Sequence, residues 1–207
     1  PMNRKKFCAR IALGNYDAVI IGHSQFEKIP LSDERLKKML EIRLMIFFQQ
    51  LKWQKKVMQR ISPLKQMEKT RKQLVVKLEN LNKKERKDNI VTFEELGVDR
   101  LFVDESHYYK NLYLYTKMRN VAGVSQTEAQ KSTDMFNKCQ YINEVNGGKG
   151  ITYATGTPIS NSMTELFTIQ RYLQMEKLQE IGLTQFDSWA ATFGETVTAI
   201  ELAPEGT

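Results

Sequence analysis

The chain has 207 residues, 41% of them apolar, with 31 basic against 24 acidic side chains and a formal charge of +7. That length suits one domain with an ordinary core, and two widely separated Cys with only two His suggest neither a disulfide framework nor a structural metal. With no signal peptide and no 18-residue apolar run, the chain reads as neither secreted nor membrane-spanning but cytoplasmic, with reduced thiols.

In chain order, Asp17 to Gly22 reads as a strand, with Gly22-His23-Ser24-Gln25-Phe26 at its carboxyl end. Phe26 is expected to be buried, and His23 to be a hydrogen-bonded structural residue. The next 66 positions, 32–97, are too long for a short crossover between strands and hold 17 basic and 9 acidic residues. They read as an inserted basic helical hairpin standing off a lobe made of residues 1–31 and 98–207. Its first helix, 33–61, carries Leu36, Met39, Leu40, Leu44, Phe47, Phe48 and Leu51 at helical spacing. Ser62-Pro63 is a cap followed by Pro at the first helical position. The second helix carries a coiled-coil seam of Leu64, Met67, Arg71, Leu74, Leu78 and Leu81, with Arg71 snorkelling or marking the register. Lys69, Lys72, Lys77, Lys83, Lys84, Arg86 and Lys87 decorate the outside and end of the hairpin. This charge is either a solvated face or a surface that neutralises nucleic-acid phosphates.

Thr92-Phe93-Glu94-Glu95 has the form of a capping box, so a short helix is expected before Gly97. Leu101, Phe102 and Val103 then form an apolar run that ends on Asp104 and Glu105, with His107 two positions on. A parallel strand buried on both faces requires such a run, and ligands of open α/β sheets gather at the carboxyl ends of strands. There one carboxylate can hold magnesium through water and the next can orient a water against a γ-phosphate; the plainer reading is a solvated strand end. Tyr108, Tyr109, Tyr113 and Tyr115 follow among basic residues, suited to stacking on bases or to covering the lobe. Residues 121–126 read as a mobile loop, and Glu128 to Ile142 as a helix with Met135, Phe136, Cys139 and Ile142 inward. Gly147-Gly148-Lys149-Gly150 reads as a turn. A second buried strand is expected over 150–156, broken by Thr155-Gly156-Thr157-Pro158. A helix capped by Ser160 or Asn161 then turns Met163, Leu166, Phe167, Gln170 and Leu173 toward the core. If the two strands are neighbours, Thr155 and Thr157 can meet the carboxylates and His107.

Two of these segments carry a resemblance. DESHYYKN and ATGTPISNSMTELF look like motifs II and III of superfamily 2 helicases, nearest to the Swi/Snf-related translocases, whose patterns are DExHxxKN and TGTPIxNxxxEL. YDAVIIGHSQF resembles the strand and loop of motif Ib. The whole chain resembles part of the large helicase and methyltransferase-like proteins of bacterial phages and conjugative elements. The resemblance implies that Asp104 is the magnesium-linked carboxylate, Glu105 the catalytic one and His107 a coupling residue. It implies that Thr155, Gly156 and Thr157 couple hydrolysis to strand movement and that Ser24 and Gln25 contact phosphates. ATP and Mg2+ would be the cofactors of the intact protein, and DNA and the remaining helicase lobes its partners.

No GxxxxGK[ST] occurs in the chain; Gly147 to Gly150 lacks the first Gly and the hydroxyl residue and precedes a strand. The expected architecture is therefore α/β, a partial RecA-like lobe with parallel strands near 17–22, 100–105 and 150–156. The expectation is a piece of a larger ATP-driven motor, inactive alone, with narrow-sheet edges that invite dimerisation. The alternative is a non-enzymatic DNA-binding or protein-docking module.

Overall fold

The structure, a computed structural model, describes residues 2–57, 62–83, 91–116, 118, 128–160 and 162–195. Its elements run α1 (Met2–Leu13), α2 (His23–Phe26), α3 (Asp33–Val57), α4 (Ser62–Lys83), β1 (Leu101–Val103), α5 (Gln130–Val145), β2 (Ile151–Tyr153), α6 (Met163–Glu180) and α7 (Phe186–Phe193). Helices dominate, around a sheet of two parallel strands. Leu101 stands opposite Ile151, Phe102 opposite Thr152 and Val103 opposite Tyr153. The pairing continues past the strands, because the Ala154 N–H donates to the Val103 carbonyl at 2.9 Å and the Ser106 N–H to the Ala154 carbonyl at 3.0 Å.

The expected third strand is not formed. Asp17 to Gly22 has no ladder partner among the described residues, and Ile20 is fully exposed beside a largely exposed Val19. Strand preference is expressed only against a neighbour, so an apolar run that joins no edge stays unpaired. Nor is β1 covered on both faces: Val103 is buried, whereas Phe102 is 77% exposed. Cover lies on one side only, where α5 packs on β2 and α6 on α5.

That covered side holds the core. As its spacing predicts, α5 buries Met135, Phe136, Cys139 and Ile142, which join Val103, Tyr109, Phe26, Phe93 and Tyr172. Side chains of this kind each stabilise by about 1.5–3 kcal/mol when fully buried. Burial also pushes the Cys139 thiol up to about 12, which keeps it an unreactive thiol. Gly147, Gly148 and Gly150 all have positive φ, in agreement with a turn. At Gly150, φ is +109° and a Cβ would lie 2.9 Å from the Asp99 carbonyl, so only glycine fits where the chain enters β2.

The hairpin helices α3 and α4 lie against each other, with Leu44, Phe47 and Leu74 buried and Arg71, Leu78 and Leu81 half-buried in the seam. Lys69, Lys72 and Lys77 are exposed. Lys83 ends α4, while Lys84, Arg86, Lys87 and the 121–126 segment lie outside the described residues. The hairpin does not stand off the lobe. Arg35 of α3 reaches Glu144 at 2.6 Å, and Arg43, buried, donates two bonds to Glu128 at 2.9 and 2.8 Å and one to the Tyr115 hydroxyl at 2.8 Å. Glu144 and Glu128 flank opposite ends of α5, so α3 is tied along its length. Burial alone would lower the Arg43 pKa, but the hydrogen-bonded Glu128 carboxylate raises it above its ordinary value. Burial likewise works to raise Glu128, and the Arg43 bonds and charge outweigh it and hold the carboxyl below its ordinary value.

Two helix expectations are corrected as well. The capping box closes only a single 3-10 turn, Glu94–Leu96, although the Glu95 carboxylate does accept from the Thr92 N–H at 2.7 Å and Gly97 ends it in the left-handed region. The α6 cap is Ser162, whose side chain accepts from the Thr164 N–H. Ser160 is engaged elsewhere, and Asn161 lies outside the described residues. Phe167 is buried, but Met163, Gln170 and Leu173 are only half-buried and Leu166 is exposed. The face turned inward also carries Thr164, Glu165, Thr168, Arg171 and Tyr172, and Thr164 meets the cap, Glu165 meets Lys110 and Arg171 meets the Tyr113 carbonyl.

Gly150→Ala is expected to lower the unfolding free energy by roughly 1–3 kcal/mol in urea denaturation. Since the folded-state pKa of Glu128 is depressed, its contribution is complete above the ordinary value of 4.5 and lost as pH falls through the folded value. The stability advantage of the natural chain over Glu128→Gln should therefore shrink on acidification below that value.

Candidate functional site

The parallel register sets the ends of β1 and β2 side by side, and the chain leaves both through tight local turns. After Val103, Asp104 accepts from the Glu105 N–H at 3.0 Å, and Glu105 sits in the left-handed region at φ +48°, unlike any other non-glycine residue among those described. A left-handed non-glycine residue costs roughly 1–2 kcal/mol and is held by its surroundings. Here the surrounding bonds are those of Asp104, of Ser106 to the second strand, and of a 3-10 turn, Ser106–Tyr109. Both carboxylates are exposed at the strand edge.

His107 turns back across that edge. Its Nδ1 lies 3.0 Å from the Thr155 hydroxyl and 3.2 Å from a Glu105 carboxylate oxygen. The Thr155 hydroxyl also accepts from the Thr157 N–H at 3.1 Å, which closes the Thr-Gly-Thr turn. Four of the sequence candidates, Glu105, His107, Thr155 and Thr157, are thus joined by direct bonds, with Asp104 and Gly156 beside them in the chain. Ser24 and Gln25 are exposed on α2. The adjacent His23 bonds the Tyr109 hydroxyl at 2.9 Å, linking α2 to the turn after the carboxylates. Phe26 is buried, as expected.

A second bridge runs beneath the first and was not singled out in the sequence reading. Lys110 lies 3.0 Å from a Glu165 carboxylate oxygen and donates to the Ser160 hydroxyl at 2.7 Å, while the Ser160 N–H donates to Glu165 at 2.6 Å. The Glu165 side chain is only 8% exposed. Its signal was present in the two motif patterns themselves, which carry opposite charges at those places, Lys in one and Glu in the other. The two loops are therefore latched twice, by His107 to Thr155 and by Lys110 to Glu165.

Magnesium usually takes one or two carboxylates and completes its shell with water and phosphate oxygens. Two exposed neighbouring carboxylates at a strand edge fit that share. Among the described residues no group of three or more His, Cys, Asp and Glu is placed to hold a metal unaided. A cleft of about 1140 Å³ lies elsewhere, between α3, α4, α5 and the end of α6, and none of these candidate residues lines it. No helix among the described residues is long and apolar enough to cross a membrane.

The site thus sets Asp-Glu-x-His and Thr-Gly-Thr at the ends of adjacent parallel strands, bonded across the edge. The chain belongs to the family described as a probable helicase domain, whose model matches residues 1–205. It is also similar to the protein named Defense against restriction protein B of Escherichia phage P1, with 26% identity over 189 residues. That match covers 88% of this chain and 8% of the relative, so the chain spans a small part of the protein it resembles. No solved structure matches it.

Lys110→Ala would leave the buried Glu165 carboxylate without its ammonium and is expected to cost roughly 1–3 kcal/mol in urea denaturation. Lys177→Ala, which breaks a fully exposed pair with Glu180, should leave the midpoint unchanged.

Proposed function

We propose that this domain is the carboxylate and coupling half of the ATP-driven motor of a superfamily 2 DNA translocase, of the Swi/Snf-related kind. The observation that carries this reading is the His107–Thr155 bond at 3.0 Å, which joins the segment bearing the two carboxylates to the segment bearing Thr-Gly-Thr. When bound, Mg2+ and ATP supply a polarised γ-phosphoryl group open to attack by water. Asp104 would hold the magnesium through water, and the exposed Glu105 carboxylate, on its left-handed backbone, would orient and deprotonate the attacking water. His107, bonded to both Glu105 and Thr155, transmits a shift of either loop to the other. Thr157 follows Thr155 through the bond between them.

The phosphate cradle itself has no counterpart in this sequence, so the domain contributes carboxylates to a site completed by other residues. The parent protein is the hydrolase in this reading. DNA contact is assigned to Ser24 and Gln25 on α2, with the basic hairpin, including Lys83, Lys84, Arg86 and Lys87, supplying further charge. The alternative, a DNA-binding module without catalysis, keeps those contacts and loses the role of Glu105.

Glu105→Gln preserves the shape and removes the carboxylate charge. In the intact protein it is expected to lower DNA-stimulated ATP turnover at least about a hundredfold, the scale of a lost general base, while leaving DNA affinity unchanged. Turnover equal to the natural protein would sink the assignment and favour the non-catalytic module.

A further inference from the structure

Next to the carboxylates in the chain stands a cluster of aromatic and basic residues to which the motor chemistry gives no task. Tyr108 is 44% exposed, although Tyr109 beside it is wholly buried. Its ring is braced by two others. Tyr109 meets it edge-on, with centroids 5.4 Å apart and planes at 88°, and His23 lies 5.2 Å away. His23 is itself held by its bond to the Tyr109 hydroxyl, and Tyr109 is wholly buried. The Lys131 ammonium, from the first turn of α5, stands 3.0 Å from the Tyr108 ring centroid. Ser24 and Gln25 follow His23 directly and are exposed.

We propose that Tyr108 is a stacking platform for an unpaired nucleobase, with Lys131 neutralising the adjoining phosphate. This deepens the DNA contact assigned above to Ser24 and Gln25 and rests on it. Three features point to a base rather than to a buried packing role. A surface Tyr that pays the hydrophobic cost of exposure yet is fixed by two rings has lost its rotamer freedom before any ligand arrives, which lowers the entropy cost of binding one. An aromatic face accepts any base, and base-on-aromatic stacking in single-strand grooves is sequence-tolerant. A lysine resting on that face is a mobile cation that can move a few ångströms to a phosphate when a base takes its place. Ser24 and Gln25, one and two residues after His23, then offer small polar groups to the nucleic-acid backbone. The ligand class is single-stranded nucleic acid; a duplex, with its bases stacked on one another, offers no free face.

The test is fluorescence anisotropy with the 207-residue chain, using a labelled thymidine oligomer and an abasic oligomer of the same length, across a salt series. Tyr108→Ala is expected to weaken binding to the thymidine oligomer about tenfold or more while leaving binding to the abasic oligomer unchanged. Tyr108→Phe keeps the ring and should bind within about twofold of the natural chain. Lys131→Gln should weaken both oligomers and reduce the salt slope by about 0.7, the share of one phosphate on a single strand. If the natural chain binds the oligomers and Tyr108→Ala binds thymidine as tightly as before, the platform is overturned while the assignment of DNA contact stands. If Tyr108→Ala weakens both oligomers equally, the ring has a structural task only, and the platform is again overturned. If the natural chain binds no nucleic acid, both fall together.

Discussion

The short parallel ladder between β1 and β2 decides where every candidate group stands. Its residues are few, and one face of it is open at Phe102, so the ladder is held mainly by what lies beneath it: α5 on β2 and the buried side chains of α5 and α6. Register is the sensitive quantity. A parallel strand advances about 3.3 Å per residue, and a slip by one residue turns each side chain to the other face. Such a slip would carry Thr155 farther from His107 than the length of their 3.0 Å bond and would bring the exposed Thr152 inward in place of Tyr153. The unusual backbone of Gly150, tight against Asp99 and Ile142, fixes the point at which β2 begins and so fixes the register.

Around that ladder the core is uncommonly rich in charge. Arg43, Lys138, Glu165 and Arg171 are all buried; the first three each meet an opposite charge, and Arg171 meets a backbone carbonyl. Lys138 donates to Asp134 at 2.6 Å and to the Phe26 carbonyl at 2.9 Å; burial pushes its ammonium down and pushes the Asp134 carboxyl up, against the pull of the ion pair. Arg171 donates to the Tyr113 carbonyl at 2.7 Å and stands over the Tyr113 ring, as Arg43 does from the hairpin. One tyrosine ring thus joins α3, the segment after the carboxylates and α6. Removing one member of a buried pair costs more than the pair itself contributes, so these contacts specify one arrangement of the hairpin on the domain. Hairpin and site loops consequently share a rigid frame.

How much of this was legible depended on what kind of signal each residue carried. Periodicity gave α5 and its inward residues, and it gave the hairpin helices with Leu44, Phe47 and Leu74 inward, because burial there is apolar and repeats with the helix; Phe48 is exposed, and the side chains of Leu51, Leu64 and Met67 lie outside those described. The motif spacing placed Asp104, Glu105, His107, Thr155 and Thr157 at two strand ends, and the structure brings these ends together. What periodicity could not give was a buried face made of polar residues. Glu165 and Arg171 look like solvent positions until Lys110 and Tyr113 are known to face them, and the Tyr113 partner lies 58 residues away in sequence. The same blindness to distant neighbours produced the strand at 17–22: Val19 and Ile20 have the residue types of a strand and lack the adjoining edge. The anchoring of α3 through Arg43 was hidden because an arginine in a basic helix gives no sign that it is the buried one.

The site has two layers with different mechanical character. Underneath lie bonded groups, His107 to Thr155 and Lys110 to Glu165 and Ser160, which leave the two loops little freedom to move apart. Above them lie Asp104, Glu105, Tyr108, Ser24 and Gln25, all exposed and gathered on the rim. The exposed polar groups are solvated there at no cost, whereas the left-handed backbone of Glu105 adds strain. The rim is thus strained, polar and aromatic over a latched base, with the carboxylates toward one side and α2 toward the other. His107 touches the first and, through the Ser106–Tyr109 turn, is continuous with the second, so a displacement on either side must pass through that one turn.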